Sequence, residues 1–219
     1  MDTLFLRGVS VPAVSAAIPL ESRHTRDVNP PCFLNDDNIQ PEVNSTLASS
    51  FEKIKDQVQD LKAKIELQIT RMQTSYCIER NSDALMSAIH MFSLSDNEAF
   101  VHEFTINQPS FLEKITGHYD MLDNLAYTLE ELSETAADDH AKQNLLQIQA
   151  RTYNAMCTIK TLLRSQNKHL TNEVPSGRNS FQIDGICDQH QMEYITMLNG
   201  YLLAEYLDLM YTTVLNHQN

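Results

Sequence analysis

The chain has 219 residues and a formal net charge of -13 at pH 7, with 29 acidic and 16 basic side chains. Its lysines and arginines are scattered, which argues against nucleic acid and anionic membranes as partners, because both require clustered positive charge. Glycine occurs 5 times and proline 7 times, and no long Val/Ile-rich alternating segment is present, so the composition favours an all-α protein.

Residues 1–43 are predicted to be a leader followed by a flexible N-terminal segment. The stretch LFLRGVSVPAVSAA ends in small residues that suit signal-peptide cleavage after Ala16 or Ala17, so a secretion signal is one interpretation. A disordered leader is the alternative. No later stretch contains about 18 or more apolar residues, so the sequence predicts no transmembrane helix.

Residues 44–219 contain four segments in which apolar residues recur at steps of three and four, the period of a helix with one buried face. The first predicted stripe is Leu47, Phe51, Ile54, Val58, Leu61, Ile65, Ile69, Met72 and Tyr76. The second is Phe111, Ile115, Tyr119, Leu122, Leu125, Leu129 and Leu132. The third is Leu145, Ile148, Thr152, Met156, Ile159 and Leu163. The fourth is Met192, Ile195, Leu198, Leu202, Tyr206, Leu209 and Val214.

The connections between these helices are long, short and long in chain order. Antiparallel neighbours need only short loops, whereas parallel neighbours need a connection that runs the length of the bundle. The sequence therefore predicts an up-up-down-down four-helix bundle with two long crossover loops. The first crossover is predicted to contain a short helix, SDALMSAIHMF, because about thirty structureless residues would be unusual in a compact domain.

The chain contains four cysteines, which allow three disulfide connectivities, and the sequence alone does not choose among them. The predicted topology places Cys32 and Cys157 towards one end of the bundle and Cys77 and Cys187 towards the other, so it favours the pairs Cys32–Cys157 and Cys77–Cys187. Such bridges imply an oxidising compartment. The alternative is four unpaired thiols in a cytosolic helical protein.

Two stretches resemble one family. MLNGYLLAEYLDLMYTTVL in the fourth helix and YNAMC in the third are similar to segments of the long-chain helical cytokines, in the interleukin-6, leukaemia inhibitory factor and ciliary neurotrophic factor group. The cysteine plan is similar too, since family members bridge a cysteine before helix one to helix three. The resemblance implies a long-chain helical cytokine fold over about residues 44–218.

This resemblance implies a secreted, monomeric ligand that brings class I cytokine receptor ectodomains together, including the shared signal-transducing chain, and so triggers receptor-bound kinases. It implies no catalytic residues and no cofactor. Carried onto this sequence, one receptor surface would combine residues of helices one and three, and another would lie at the start of helix four. The first comprises Lys55, Gln59, Lys62, Gln147, Arg151 and Asn154, and the other comprises Glu193 and Tyr194. For each single residue the alternative is an ordinary solvated helix face.

Enzyme and metal functions find little support in the sequence. The single E-x-x-H, formed by Glu21 and His24, lies before the predicted helices, whereas a di-iron bundle needs such a pair on two helices. No C-x-x-C occurs, and no Gly-rich phosphate loop is present. Asn44 heads the chain's N-x-[ST] sequon, so glycosylation is expected there if the protein is secreted. The competing function is an intracellular helical scaffold or coiled-coil interaction protein, which the coiled-coil-like first helix would suit.

Overall fold

In a computed structural model of the protein, the described residues are 47–76, 108–136, 138–168, 170 and 189–217. They form four α-helices and contain no β-strand. The helices are α1 (Leu47–Tyr76), α2 (Gln108–Glu134), α3 (Asp139–Ser165) and α4 (Gln189–His217). The predicted all-α four-helix bundle is therefore confirmed. None of these four helices is long and apolar enough to cross a membrane.

Both ends of α3 are closed by local hydrogen bonds. The Asp138 side chain accepts a hydrogen bond from the backbone N–H of Ala141 at 2.7 Å, which caps the first turn. At the other end Asn167 adopts a left-handed backbone conformation with φ of 57°, and the N–H of Lys168 reaches back to the carbonyl of Leu163 at 2.9 Å. This is the Schellman arrangement, in which the reversed residue satisfies carbonyls that the ending helix leaves open.

The predicted stripes of the first three helices form the core. From Phe51 to Met72 every predicted position of α1 is buried, and α3 buries its whole predicted stripe. In α2 only Tyr119 of the stripe remains partly exposed. These helices carry polar residues on their outer sides, so the apolar period identifies the buried face.

The predicted stripe of α4 is wrong in its rotation. Only Ile195 and Val214 of the seven predicted positions are fully buried, whereas Leu209 is 37% exposed. The side chains that α4 contributes to the core instead include Met197, Leu203, Ala204, Leu207, Met210 and Tyr211. Apolar residues occupy every side of α4, so its sequence period does not select one face.

Cross-helix contacts give the relative directions of α1, α3 and α4. Along α1, Gln59 donates a hydrogen bond to Asp208 of α4, and further on Gln68 donates one to Glu193 of the same helix. The residue number rises in α1 while it falls in α4, so these helices are antiparallel. The contacts of Asp60 with Arg151 and of Arg71 with Asn144 show the same relation between α1 and α3.

An aromatic cluster joins α1, α2 and α4 near the start of α1. The rings of Phe51 and Phe111 meet edge to face with centroids 5.8 Å apart, and the Tyr211 ring centroid also lies 5.8 Å from that of Phe51. The first turns of α1 and α2 thus meet the end of α4. We call this the lower end of the bundle, and the opposite end, where α1 finishes, the upper end.

Gly200 is a point of close approach between three helices. A Cβ atom at this position would lie 3.2 Å from Cδ1 of Ile65 on α1 and 3.2 Å from Cδ1 of Leu125 on α2. Both distances are shorter than ordinary van der Waals contact between carbon atoms. The missing side chain therefore lets α4 sit close to α1 and α2 at once.

Candidate functional site

Two of the predicted surface residues on α1 face α4. Gln59 Nε2 donates to Asp208 Oδ1 at 2.9 Å, and Lys62 Nζ lies 3.2 Å from Glu205 Oε1 and 5.2 Å from the centre of the Tyr201 ring. Burial acts to lower the pKa of Lys62, but the hydrogen bond and charge of Glu205 outweigh it, so the pKa is raised. These contacts form the α1–α4 edge.

Arg151 is the predicted α3 residue that contacts α1. Its Nε atom lies 2.8 Å from Asp60 Oδ2, and its Nη1 donates to the carbonyl of Gln147 at 3.2 Å. Gln147 and Asn154 are exposed on α3, while Lys55 is partly exposed on α1. The predicted set therefore does not form one face, because Gln59 and Lys62 lie at the α1–α4 edge and Arg151 lies at the α1–α3 edge.

Three basic side chains lie at the α1–α3 edge, namely Lys64, Arg71 and Arg151. The sequence pattern led to a prediction for Arg151 but not for Lys64 or Arg71. Burial and then the charges of Arg151 and Arg71 lower the pKa of Lys64, against an opposing effect of Asp60. Leu67 lies on α1 between Lys64 and Arg71 and is 46% exposed. The spacing of Lys64, Leu67 and Arg71, at i, i+3 and i+7, was the available sequence signal.

Glu193 and Tyr194 lie inside the bundle, with 5% and 2% of their surface exposed. Gln68 Nε2 donates to Glu193 Oε1 at 3.1 Å, and Gln73 Nε2 donates to the Tyr194 hydroxyl at 2.8 Å. Neither a receptor surface nor a solvated face suits side chains this buried. The two residues instead join the start of α4 to the upper part of α1.

The Glu193 carboxyl is in an environment that favours its neutral form. Burial raises its pKa, the hydrogen bond from Gln68 and the charge of His190 partly oppose this, and the charge of Asp138 adds to it. The other side-chain atom of that amide, Gln68 Oε1, is buried and has no hydrogen-bond partner. Gln68 Oε1 thus accepts no hydrogen bond, while burial favours the protonated form of the Glu193 carboxyl.

A buried histidine lies towards the lower end. His118 Nδ1 is 3.1 Å from the Tyr211 hydroxyl, and its ring packs edge to face on Tyr206 with centroids 5.7 Å apart. Burial, with a smaller effect of Lys114, lowers the pKa of His118 to about 3, so the imidazole is neutral. Burial also raises the pKa of Tyr211. A neutral histidine paired with a neutral phenol is an element of core packing.

No family model, curated protein or solved structure matches this chain. Among the residues that the structure describes, no three His, Cys, Asp or Glu side chains are grouped so as to hold a metal ion.

The remaining predicted features concern the cysteines and the sequon. Cys157 is partly buried on α3 beside the core residue Met156, and it is disulfide-bonded. Cys32, Cys77 and Cys187 lie outside the described residues, so the predicted pairs Cys32–Cys157 and Cys77–Cys187 stay predictions. The leader, the short crossover helix and the Asn44 sequon also lie outside the described residues.

Proposed function

We propose that the protein is a secreted helical cytokine of the interleukin-6 and leukaemia inhibitory factor type. In this proposal it acts as a monomeric ligand without catalytic activity or cofactor. It binds class I cytokine receptor ectodomains, among them the shared signal-transducing chain, and thereby triggers the kinases bound to those receptors.

The directions of the helices carry this proposal. α1 is antiparallel to both α3 and α4, and the first turns of α1 and α2 meet at the lower end through Phe51 and Phe111. These relations support an up-up-down-down bundle, the arrangement of the helical cytokines. In the common up-down-up-down bundle, by contrast, the start of α2 would lie at the end opposite to the start of α1.

Chain lengths agree with two long crossovers. The 30 residues of α1 extend for about 45 Å, and α2 begins again at the lower end. An extended chain covers at most about 3.5 Å per residue, so the return needs roughly 13 residues, fewer than residues 77–107 supply. Only residues 135–138 separate α2 from α3, which suits an antiparallel pair.

The disulfide at Cys157 supports the proposed extracellular location. Disulfide bonds persist in oxidising compartments and are rare in the cytosol. A secretion signal that ends at Ala16 or Ala17 would supply the route to secretion and would leave Cys32 in the secreted protein. Pairing of Cys157 with Cys32 would tie the segment before α1 to α3, and this pairing belongs to the proposal.

The α1–α3 edge is the part of the predicted receptor surface that the proposal keeps. Arg151, Gln147 and Asn154 are all at least partly exposed there, and a partner can reach them. Glu193 and Tyr194 are not part of the proposed surface because they are buried. A receptor contact near the start of α4 would have to use other side chains.

A binding screen tests the proposal directly. The protein, secreted from animal cells, is passed over immobilised class I receptor ectodomains that include the shared signal-transducing chain, and responsive cells are assayed for kinase activation. We expect at least one ectodomain to bind, and Arg151→Glu to weaken one of the contacts while the thermal unfolding midpoint changes little. Absence of binding to every ectodomain, together with an intact mass unchanged by reduction, would overturn the proposal.

A further inference from the structure

The α1–α3 edge carries a concentration of positive charge on a strongly acidic protein. Lys64 and Arg71 lie two helical turns apart on α1, and Arg151 of α3 contacts Asp60, one turn before Lys64, although the chain as a whole has a net charge of -13. Asp60 is the acidic group among them, and it is in contact with Arg151. Together with Leu67 these three cations form what we call the basic patch.

Two cross-helix contacts frame the basic patch. The Asp60–Arg151 ion pair bounds it towards the lower end, and the hydrogen bond from Arg71 Nη1 to Asn144 Oδ1, at 3.3 Å, bounds it towards the upper end. Between these contacts Lys64 and Leu67 stand on α1. The patch is therefore held by two rigid helices rather than by a loop.

The charges in the patch are incompletely compensated within the molecule. Lys64 has no hydrogen bond and no ion pair in the described part of the chain, and two neighbouring cations disfavour its charged form. Arg151 Nε is close to Asp60, yet its N–H makes no aligned hydrogen bond. Like charges held together raise the free energy of the isolated protein, and an anionic partner relieves that repulsion.

Leu67 adds an apolar contact at the same place. With 46% of its surface exposed, it is the most exposed large apolar side chain in the described residues. An apolar side chain surrounded by cations is complementary, in charge and in apolar contact, to a protein surface on which acidic groups surround one apolar residue. A nucleic acid would instead require a longer run of cations than three side chains provide.

We propose that the basic patch is a docking surface for an acidic segment of a partner protein, with an apolar side chain of that segment seated against Leu67. Naming the partner as a receptor rests on the proposed function, but the patch itself does not. In the proposed complex, acidic groups of the partner contact Lys64 and Arg71. The local attraction between these acidic groups and the cations of the patch weakens as the salt concentration rises.

The first test uses peptides, so it needs no receptor. The full-length protein is screened against a displayed library of twelve-residue peptides, each with six Asp or Glu residues and one Leu, Phe or Trp, and against a matched library with Asn or Gln at the acidic positions. We expect enrichment from the acidic library only. In 15N-labelled protein the enriched peptides should shift the amide signals of Lys64, Leu67 and Arg71.

Variants then locate the binding. The double variant Lys64→Glu/Arg71→Glu should weaken peptide affinity by about tenfold or more, and Leu67→Ser by a few-fold, because charge and apolar contact both contribute. The control Lys53→Glu changes an exposed lysine on the same helix but outside the patch, and should alter affinity by less than about twofold. Equal binding by all variants, or equal enrichment from both libraries, would refute the patch.

The receptor screen separates this inference from the proposed function. If an ectodomain binds the double variant as well as the original protein, the cytokine proposal stands and the basic patch fails. If the acidic peptides bind at the patch while no ectodomain binds, the patch stands and the cytokine proposal fails. Dimerisation that the double variant abolishes would identify a second copy of this chain as the occupant and would refute a separate partner.

Discussion

The buried Gln68–Glu193 pair predicts an unusual response of stability to pH. In the structure one hydrogen bond joins the two side chains, at 3.1 Å, and Gln68 Oε1 is left without a partner. A carboxylate only accepts hydrogen bonds, whereas an amide both donates and accepts. Replacing Glu193 by glutamine should therefore let the two amides exchange two hydrogen bonds and should remove a buried charge.

The expected magnitude follows from these two changes. One additional buried hydrogen bond contributes about 1 kcal/mol, and removal of an incompletely satisfied buried charge contributes a similar amount. Glu193→Gln should thus raise the free energy of unfolding at pH 8 by about 2 kcal/mol. For a chain of this size that corresponds to an increase of about 4–8 °C in the unfolding midpoint.

The sign of the pH dependence is opposite to that of most carboxyl groups. Because the pKa of Glu193 is raised above its ordinary 4.5, the folded protein holds the proton more tightly than the unfolded chain does. Its contribution to stability is therefore present at acidic pH and is lost as the pH rises from 4.5 through the raised value. The glutamine variant has no proton to lose there, so its advantage should shrink as the pH falls.

Chemical denaturation of the original protein and the variant at pH 8 and at pH 5 measures both effects. The difference between the two proteins is the informative quantity, because His118 contributes a trend of opposite sign that is common to both. Glu66→Gln, at an exposed position of α1, is the matched control and should change stability by less than about 0.5 kcal/mol at either pH. A destabilised Glu193→Gln protein, or an advantage that does not depend on pH, would refute the reasoning.

Three further predictions concern packing and charge. Gly200→Ala should lower the free energy of unfolding by about 1 kcal/mol, because the added Cβ would press on Ile65 and Leu125. Gly117→Ala should raise it by about 0.5–1 kcal/mol, because nothing lies within 4 Å of the added Cβ, and thermal unfolding measures both effects. The ring signals of His118 should not move between pH 8 and pH 5 in NMR titration, since its pKa is about 3, and a midpoint above pH 5 would contradict its burial. A double-mutant cycle on the half-exposed Asp60–Arg151 pair should give a coupling of at most about 1 kcal/mol, and a larger coupling would disagree with the solvent screening expected there.

The sequence predicts the first three helices well and the fourth poorly, for one physical reason. In α1 a polar outer side, with residues such as Asp56 and Asp60, contrasts with the stripe that contains Val58 and Leu61, so burial can be read from the period. In α4 the outward Leu209 and the buried Met210 are both apolar. The period then does not fix the rotation of the helix, and only packing against α1 and α2 selects the buried side.

The candidate surface shows the same dependence on rotation. The position of Lys62 in the sequence predicts that it lies near the surface. Its contact with Glu205, however, depends on how α4 is rotated about its own axis. Likewise, Asp60 was not predicted as a partner of Arg151, because their contact depends on how far α1 and α3 are shifted along each other. Partners across helices arise from tertiary packing, which a single sequence without known relatives does not specify.

The pairing of the first described helix with the last has a consequence for how the chain folds during synthesis. Contacts between α1 and α4 join residues 149 and 125 positions apart, while the contact between Gln149 and Ala126 spans 23 positions. Closing a short loop loses less entropy, so the α2–α3 hairpin should form early. The part of α1 that packs on α4 has to wait for α4, the last of the four helices to leave the ribosome, whereas α3 is available earlier. Until then the nascent chain exposes part of the apolar stripe that runs along the 30 residues of α1, which suits a requirement for chaperones.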